Sequence, residues 1–320
     1  MAVVLFHFTT RYQQLYGGNE PLPLAMPHGH YGVNLFFIIS GFVIFMTLER
    51  TRQAMDFVVS RFSRLFPAYW VCIAITFAVV AWLGLPGKEV TGLQALANGL
   101  MLHHLLLKVP HVDGVYWTLE VELLFYIAML TLYKVGGLAH VHRLLAAGLL
   151  LKLLYAAAAH WAGIDLPWIV YRVLFLEALP WFAIGITVYQ LTLGGLRLGP
   201  SHALTLALAL ACLATTRAWP EAVLACVFGT CVWAAARGQL AWLGHRVLVF
   251  LGAVSYPLYL LHENIGWALQ RWALAAGWPF YAAVIGVLAV SLLLAWAVHV
   301  AVEIPAMRAI RRRYQANQAR

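Results

Sequence analysis

The sequence is short of charge. Only 10% of its 320 residues are Asp, Glu, Lys or Arg, against about a quarter in an ordinary soluble domain. A chain so poor in charge cannot cover itself with polar surface, and no polar stretch in it is long enough to fold as a soluble domain. A cysteine framework is missing too. Cys72, Cys212, Cys226 and Cys231 all stand inside apolar runs, with no Cys-x-x-Cys pair and no histidine at metal-ligand spacing from them. They read as small apolar fillers of helices, and no metal is expected. Internal repeats and low-complexity linkers are absent as well.

What the chain has instead is long apolar runs. Hydrophobic residues make up 63% of it, and its mean hydropathy is +0.81. A helix needs about 20 predominantly apolar residues to cross a bilayer. Segments of that kind occupy 33–48, 66–85, 117–134, 143–162, 170–192, 202–217, 219–236, 247–269 and 280–302. Ahead of them, Ala2–Phe8 is apolar but too short to cross. With no basic n-region and no small-residue cleavage site, it is not a signal peptide. It reads as the second half of a helix, so the natural protein is expected to begin upstream of Met1. The expected fold is an all-α polytopic transmembrane bundle of about ten spans, the first truncated, forming a single domain over residues 1–320.

The net charge of +9 does not point to nucleic acid, because the basic residues sit in short loops rather than on one face. If the first helix runs outward, fourteen Lys and Arg fall on inner segments, from Arg50 to Arg320. Only Arg11, Lys88, Lys108, Arg217 and Arg271 fall on outer ones. By the positive-inside rule both termini are then cytoplasmic, with anionic membrane lipids as partners of the basic loops. The outer segment Gly87–Pro110 is half apolar and carries the pair His103-His104. It suits an interfacial or re-entrant helix better than a further span.

Ionisable groups inside a membrane are costly unless paired or hydrated, so each is a candidate functional group. His7, in Phe6-His7-Phe8, is either a structural histidine bonded to a neighbouring helix or a general base. The run Tyr31–Phe42 contains Ser40-Gly41, which permits close backbone approach, and Asn34. In Arg61-Phe62-Ser63-Arg64-Leu65-Phe66-Pro67-Ala68-Tyr69-Trp70 the i, i+3 spacing puts both guanidiniums on one helix face. There they suit phosphate groups, or else anchor the helix at the cytoplasmic interface with Tyr69 and Trp70 as an aromatic belt. Glu120 and Glu122, in Trp117–Tyr126, point in different helical directions and so do not form an acid–base dyad. The run Ser255-Tyr256-Pro257-Leu258-Tyr259-Leu260-Leu261-His262-Glu263 carries a second histidine, at a depth comparable with His7.

Taken in order, these segments resemble the acyltransferase-3 family of membrane O-acyltransferases over nearly the whole chain. The likeness rests on the His-bearing start, Gly32–Phe42, Arg61–Trp70, Trp117–Tyr126, Ser255–His262 and Val302-Glu303-Ile304-Pro305. It departs from the family at Asn34, where an acidic residue is more usual, and at Glu263, where many relatives have Gln or Trp. The resemblance implies a cytoplasmic acyl-CoA donor, most often acetyl-CoA, and the hydroxyl of an extracytoplasmic saccharide or lipid-linked glycan as acceptor. It implies a bacterial inner-membrane location. His7 matches the family's first-helix histidine, and Arg61 and Arg64 match its donor-binding pair, with Tyr69 and Trp70 beside them. His262 is the next candidate base. Glu120 or Glu122 would orient an imidazole, and Ser40, Asn34 or Tyr256 would contact substrate or the oxyanion. A transporter or flippase for a glycan or acylated substrate is the competing reading, since polar groups at mid-depth serve it equally well.

Overall fold

The computed structural model describes residues 1–17, 25–164, 167–216 and 219–318. Arg217 and Arg320, counted among the loop charges, lie outside them. The described chain is helical, with no strand among the described residues. Among the described residues six helices are long and apolar enough to cross a membrane: Gly29–Arg50, Ala54–Leu83, Gly114–Lys134, Gly137–Ala162, Trp219–Ala236 and Phe280–Gln318. Leu179–Leu191 and Pro200–Thr216 are apolar but shorter. The all-α expectation holds, while the helices that qualify by length and composition number six rather than ten.

Two expected spans are broken, each at a proline. In 170–192, helix Trp168–Val173 ends, Phe175 turns at φ 40°, and a new helix begins at Leu179 with Pro180 in its first turn. Proline has no N–H to continue a preceding helix but suits a helix start. In 247–269, helix Arg246–Ala253 stops four residues before Pro257, whose ring would clash with the Ala253 carbonyl in a continuous helix. Helix Ser255–Leu261 follows, and a second interruption at His262 precedes helix Glu263–Ala275. Asp113 holds that second break. Its Oδ2 accepts the Asn264 N–H at 2.9 Å, while Asn264 Nδ2 donates to the Val112 carbonyl at 2.8 Å. These bonds satisfy groups a bilayer could not.

The chain forms two compact units. The first comprises Met1–Gly32, Val58–Glu120 and Gly244–Arg320. Its N-terminal helix continues past Phe8: Ala2–Phe6 leads into a π-helical turn, His7–Arg11, and then Tyr12–Tyr16. A π turn disturbs the i→i−4 ladder and is frequent at functional sites. Here the backbone of that turn is satisfied from outside. Trp267 Nε1 donates to the His7 carbonyl at 2.8 Å, and Gln270 Nε2 donates to that of Phe8 at 3.1 Å. Gly266 lets the two helices meet, since a Cβ there would lie 2.2 Å from the Phe8 ring. Val4 and Phe8 are buried with Val254, Leu258, Val284, Val287 and Ala295.

In the same unit, 87–110 forms two short helices, Gly92–Asn98 and His103–Leu107. It folds back along helix Ala54–Leu83. Tyr69 Oη donates to the Asn98 carbonyl at 2.9 Å, and Trp70 Nε1 to that of Gly99 at 3.0 Å. At 1.5 Å per residue, Tyr69 lies about 21 Å back from Leu83. The segment doubles back on that helix and forms no helix long enough to be a further span.

The second unit comprises Val33–Phe57 and Val121–Leu243. Its centre is helix Leu179–Leu191, apolar on every side and buried along nearly its whole length, as such a helix must be. A Cβ on Gly41 would stand 2.4 Å from the Phe182 carbonyl oxygen, and one on Gly185 1.9 Å from that of Ile38. Backbone meets backbone, the small-residue packing of membrane helices. Gly185→Val is therefore expected to abolish accumulation of monodisperse protein in the membrane fraction. Gly286→Ala, whose Cβ would meet only the Trp278 ring edge at 3.5 Å, should accumulate normally. Equal yields of the two by immunoblot and size-exclusion chromatography would contradict the packing.

Candidate active site

His7 and His262, 255 residues apart, share a hydrogen bond: His7 Nδ1 lies 2.8 Å from His262 Nε2. The proton positions follow from a neighbour. His262 Nδ1 is 2.8 Å from the Tyr259 carbonyl oxygen, which can only accept, so Nδ1 carries the proton. In the neutral ring Nε2 then bears the lone pair and accepts from His7 Nδ1–H. That leaves His7 Nε2 as the nitrogen that takes up a proton, and Glu263 Oε2, 3.3 Å away, pairs with it once it has done so. Both nitrogens of fully buried His262 are engaged, so the ring that can exchange a proton is His7. Glu263 is buried as well.

These groups come from the π turn, the end of helix Ser255–Leu261 and the start of helix Glu263–Ala275. In an unbroken helix His262 and Glu263 would point about 100° apart. Here His262 Nε2 meets His7 Nδ1 and Glu263 Oε2 meets His7 Nε2, one residue on each side of the helix junction taking one ring nitrogen. Tyr259 is held in turn by Thr118, whose Oγ1 is 2.9 Å from the Tyr259 hydroxyl. Tyr116 donates to the Leu260 carbonyl at 3.3 Å.

The carboxylate beside His7 is thus Glu263, where Glu120 or Glu122 was expected. Glu120, fully buried in the first turn of helix Trp117–Lys134, lies with His104 and His111. Glu122 accepts from Ser40 Oγ at 3.1 Å and from the Tyr126 hydroxyl. Two of the three oxyanion candidates already have partners. A hydroxyl has one proton, and Ser40 gives its to Glu122 while Tyr256 gives its to the Leu65 carbonyl at 2.9 Å. Asn34 is half-buried in the first turn of helix Gly32–Glu49. Tyr69 and Trp70, expected beside the donor, hold segment 87–110 through their bonds to the Asn98 and Gly99 carbonyls.

The arginines meet a feature the sequence reading passed over. Arg64 Nη1 is ion-paired with Glu303 Oε1, and His299 Nδ1 lies 2.7 Å from Glu303 Oε2. Glu303 sits in a second π turn, His299–Glu303, and is fully buried. Arg64 also lies 5.9 Å above the Tyr256 ring. The helix that follows, Ile304–Gln318, carries Arg308, Arg311, Arg312 and Arg313, and Arg311 Nε donates to Ser63 Oγ at 3.3 Å. This helix brings the Arg311 guanidinium to the turn that holds Arg61 and Arg64. Four arginines within six residues at the chain's end were the available signal, read there only as inner-loop charge.

A family model described as an acyltransferase domain matches residues 1–300. An acyltransferase, MdmB, of Streptomyces mycarofaciens is 26% identical over 94% of this chain and 88% of its own length. Nodulation protein 10 of Rhizobium leguminosarum bv. viciae is 32% identical over 32% of this chain and 33% of its own. No solved structure matches.

Proposed function

The chain belongs to the acyltransferase-3 family and is an acyltransferase of groups other than aminoacyl, and on that premise we propose that it carries an acyl group, acetyl by the family likeness, from cytoplasmic acyl-CoA to a hydroxyl of an extracytoplasmic saccharide or glycolipid. It does so as an integral protein of a bacterial inner membrane with both termini in the cytoplasm. Shorter and broken helices supplement the six long ones to make about ten crossings.

One observation carries this reading: the basic cluster and the histidine pair lie on one short helix path. Tyr256 is bonded beside Leu65 and lies beneath Arg64. His262 follows six residues later, about 9 Å further at helical rise. An extended pantetheine arm of roughly 15–20 Å, by chain reach, spans that separation with its phosphates among the arginines. Arg61 and Arg311 hold those phosphates, and Arg64 is shared with Glu303.

The chemistry follows from the proton positions. His7 Nε2 takes the proton of the acceptor hydroxyl as its oxygen attacks the thioester carbonyl. His262 Nε2 accepts from His7 Nδ1–H as the ring gains charge, and the Glu263 carboxylate balances it. The carbon–sulfur bond then breaks, and the imidazolium returns its proton to the leaving CoA sulfur. The ester and free CoA thiol are the products.

Purified protein should release CoA thiol from acetyl-CoA on addition of a cell-surface glycan fraction. Arg61→Ala and Arg311→Ala should each raise the donor KM roughly ten- to a hundredfold with kcat retained, since a hydrogen bond to a charged group contributes about 1.5–3 kcal/mol. No thiol release with any glycan fraction, together with uptake of glycan into proteoliposomes, would favour a transporter instead.

A further inference from the structure

The segment that doubles back on helix Ala54–Leu83 holds a second cluster of chemistry-bearing side chains that the acyl-transfer mechanism does not use. His104, His111 and Glu120 each present one ligand atom, and these atoms lie within 4.8 Å of one another. We propose that they bind one divalent transition-metal ion, zinc by donor set, which braces the platform of the histidine pair. Two imidazoles and a carboxylate are a zinc donor set with one position open. Metal–ligand bonds of 2.0–2.2 Å in a tetrahedron put donors about 3.4 Å apart. Side-chain rotations that shorten the present separations by about an ångström close the site.

The fourth position falls to His103 once its side chain turns toward the ion; its ligand atoms are not among the three that already converge. It is fully buried and packs edge-to-face on His111, ring centroids 4.7 Å apart. Neither of its ring nitrogens hydrogen bonds to another described residue. A buried imidazole with both nitrogens unmatched is costly, and a metal bond would satisfy one of the two.

The backbone holds these donors in place. Asn98 Nδ2 donates to the Pro110 carbonyl at 3.0 Å, and Asn98 Oδ1 accepts the Val112 N–H at 2.9 Å, fixing the chain on either side of His111. Met101 and Lys108, which bracket helix His103–Leu107, both adopt left-handed φ, 62° and 54°. Non-glycine residues take that conformation at a cost and where surrounding structure imposes it. Glu120 lies two residues after Thr118, which bonds Tyr259, whose carbonyl orients His262. An ion tying His104 and His111 to Glu120 therefore stiffens the turn that sets the His262 ring. The donors include no cysteine, so a search by cysteine spacing passes over them.

The test uses the whole chain in detergent, stripped with a chelator and titrated with Zn²⁺ against a chromophoric competitor. We expect one site per chain, a melting temperature that rises with free zinc, and tetrahedral ligand-field absorption from the Co²⁺-loaded protein. His104→Ala, His111→Ala and Glu120→Ala should each weaken zinc binding at least about a hundredfold, and His103→Ala should shift the Co²⁺ spectrum toward higher coordination by water. Should a variant fail to fold, the wild-type stoichiometry, melting shift and Co²⁺ spectrum decide. A wild-type protein that takes up no zinc, or whose zinc survives in the variants, overturns the proposal. None of these readouts depends on acyl transfer.

Discussion

His7→Ala should lower transfer by about 10²- to 10⁴-fold, the usual contribution of a positioned proton-transfer group, while acyl-CoA binding persists. The ring has a single basic nitrogen pointed away from His262, and Glu263, the other proton acceptor in the cluster, faces that same nitrogen. His262 is engaged through both nitrogens, so its role is to position and stabilise His7. His262→Ala should lower kcat with little change in donor KM. His262→Gln should recover part of the loss, because an amide oxygen can still accept from His7 Nδ1–H. A His7→Ala enzyme with substantial turnover, or a His262→Gln no better than His262→Ala, would overturn these roles. The first result would reassign the base.

The second large effect concerns stability. Arg64→Ala should destabilise the protein by about 3–5 kcal/mol, because it leaves the fully buried Glu303 carboxylate without its guanidinium partner. A second change, Glu303→Gln, removes the stranded charge, so the double variant should melt well above Arg64→Ala alone. Thermal unfolding in detergent reads both. Independent, additive losses would mean that the pair is not coupled. The prediction also bears on interpretation, since lost activity in Arg64→Ala mixes donor binding with a damaged fold. Arg61 and Arg311 report donor binding more cleanly.

Apolar run length alone located the helices Gly32–Glu49, Trp117–Lys134, Val141–Ala162, Trp219–Ala236 and Phe280–Val298 to within a few residues. It failed where a proline restarts a helix inside an apolar run, as at Pro180 and Pro257, because hydropathy averages over the break. It also placed the start of Ala54–Leu83 too late, the charged turns around Arg61 and Arg64 being helical without being apolar. His7 and His262 stood out as polar groups in apolar surroundings, and the structure joins them. Glu263 could not be assigned to His7 from the sequence, because neighbouring residues diverge on a regular helix and the contact spans 256 positions. Glu303 was legible as a motif residue, but its pairing with Arg64 spans 239 positions, a distance no local pattern encodes. Glu120 was expected to orient the imidazole of the base, and it lies instead with His104 and His111.

The central claim is that His7 acts as a base in direct transfer from acyl-CoA to a hydroxyl. The most direct measurement is a rapid quench of purified protein with isotopically labelled acyl-CoA, with and without glycan acceptor, for wild type and His7→Ala. The account predicts label in an ester on the acceptor, one free CoA thiol per ester, none on the protein, and neither product from His7→Ala. Label accumulating on the protein before acceptor is added, or esters formed equally by His7→Ala, would contradict it.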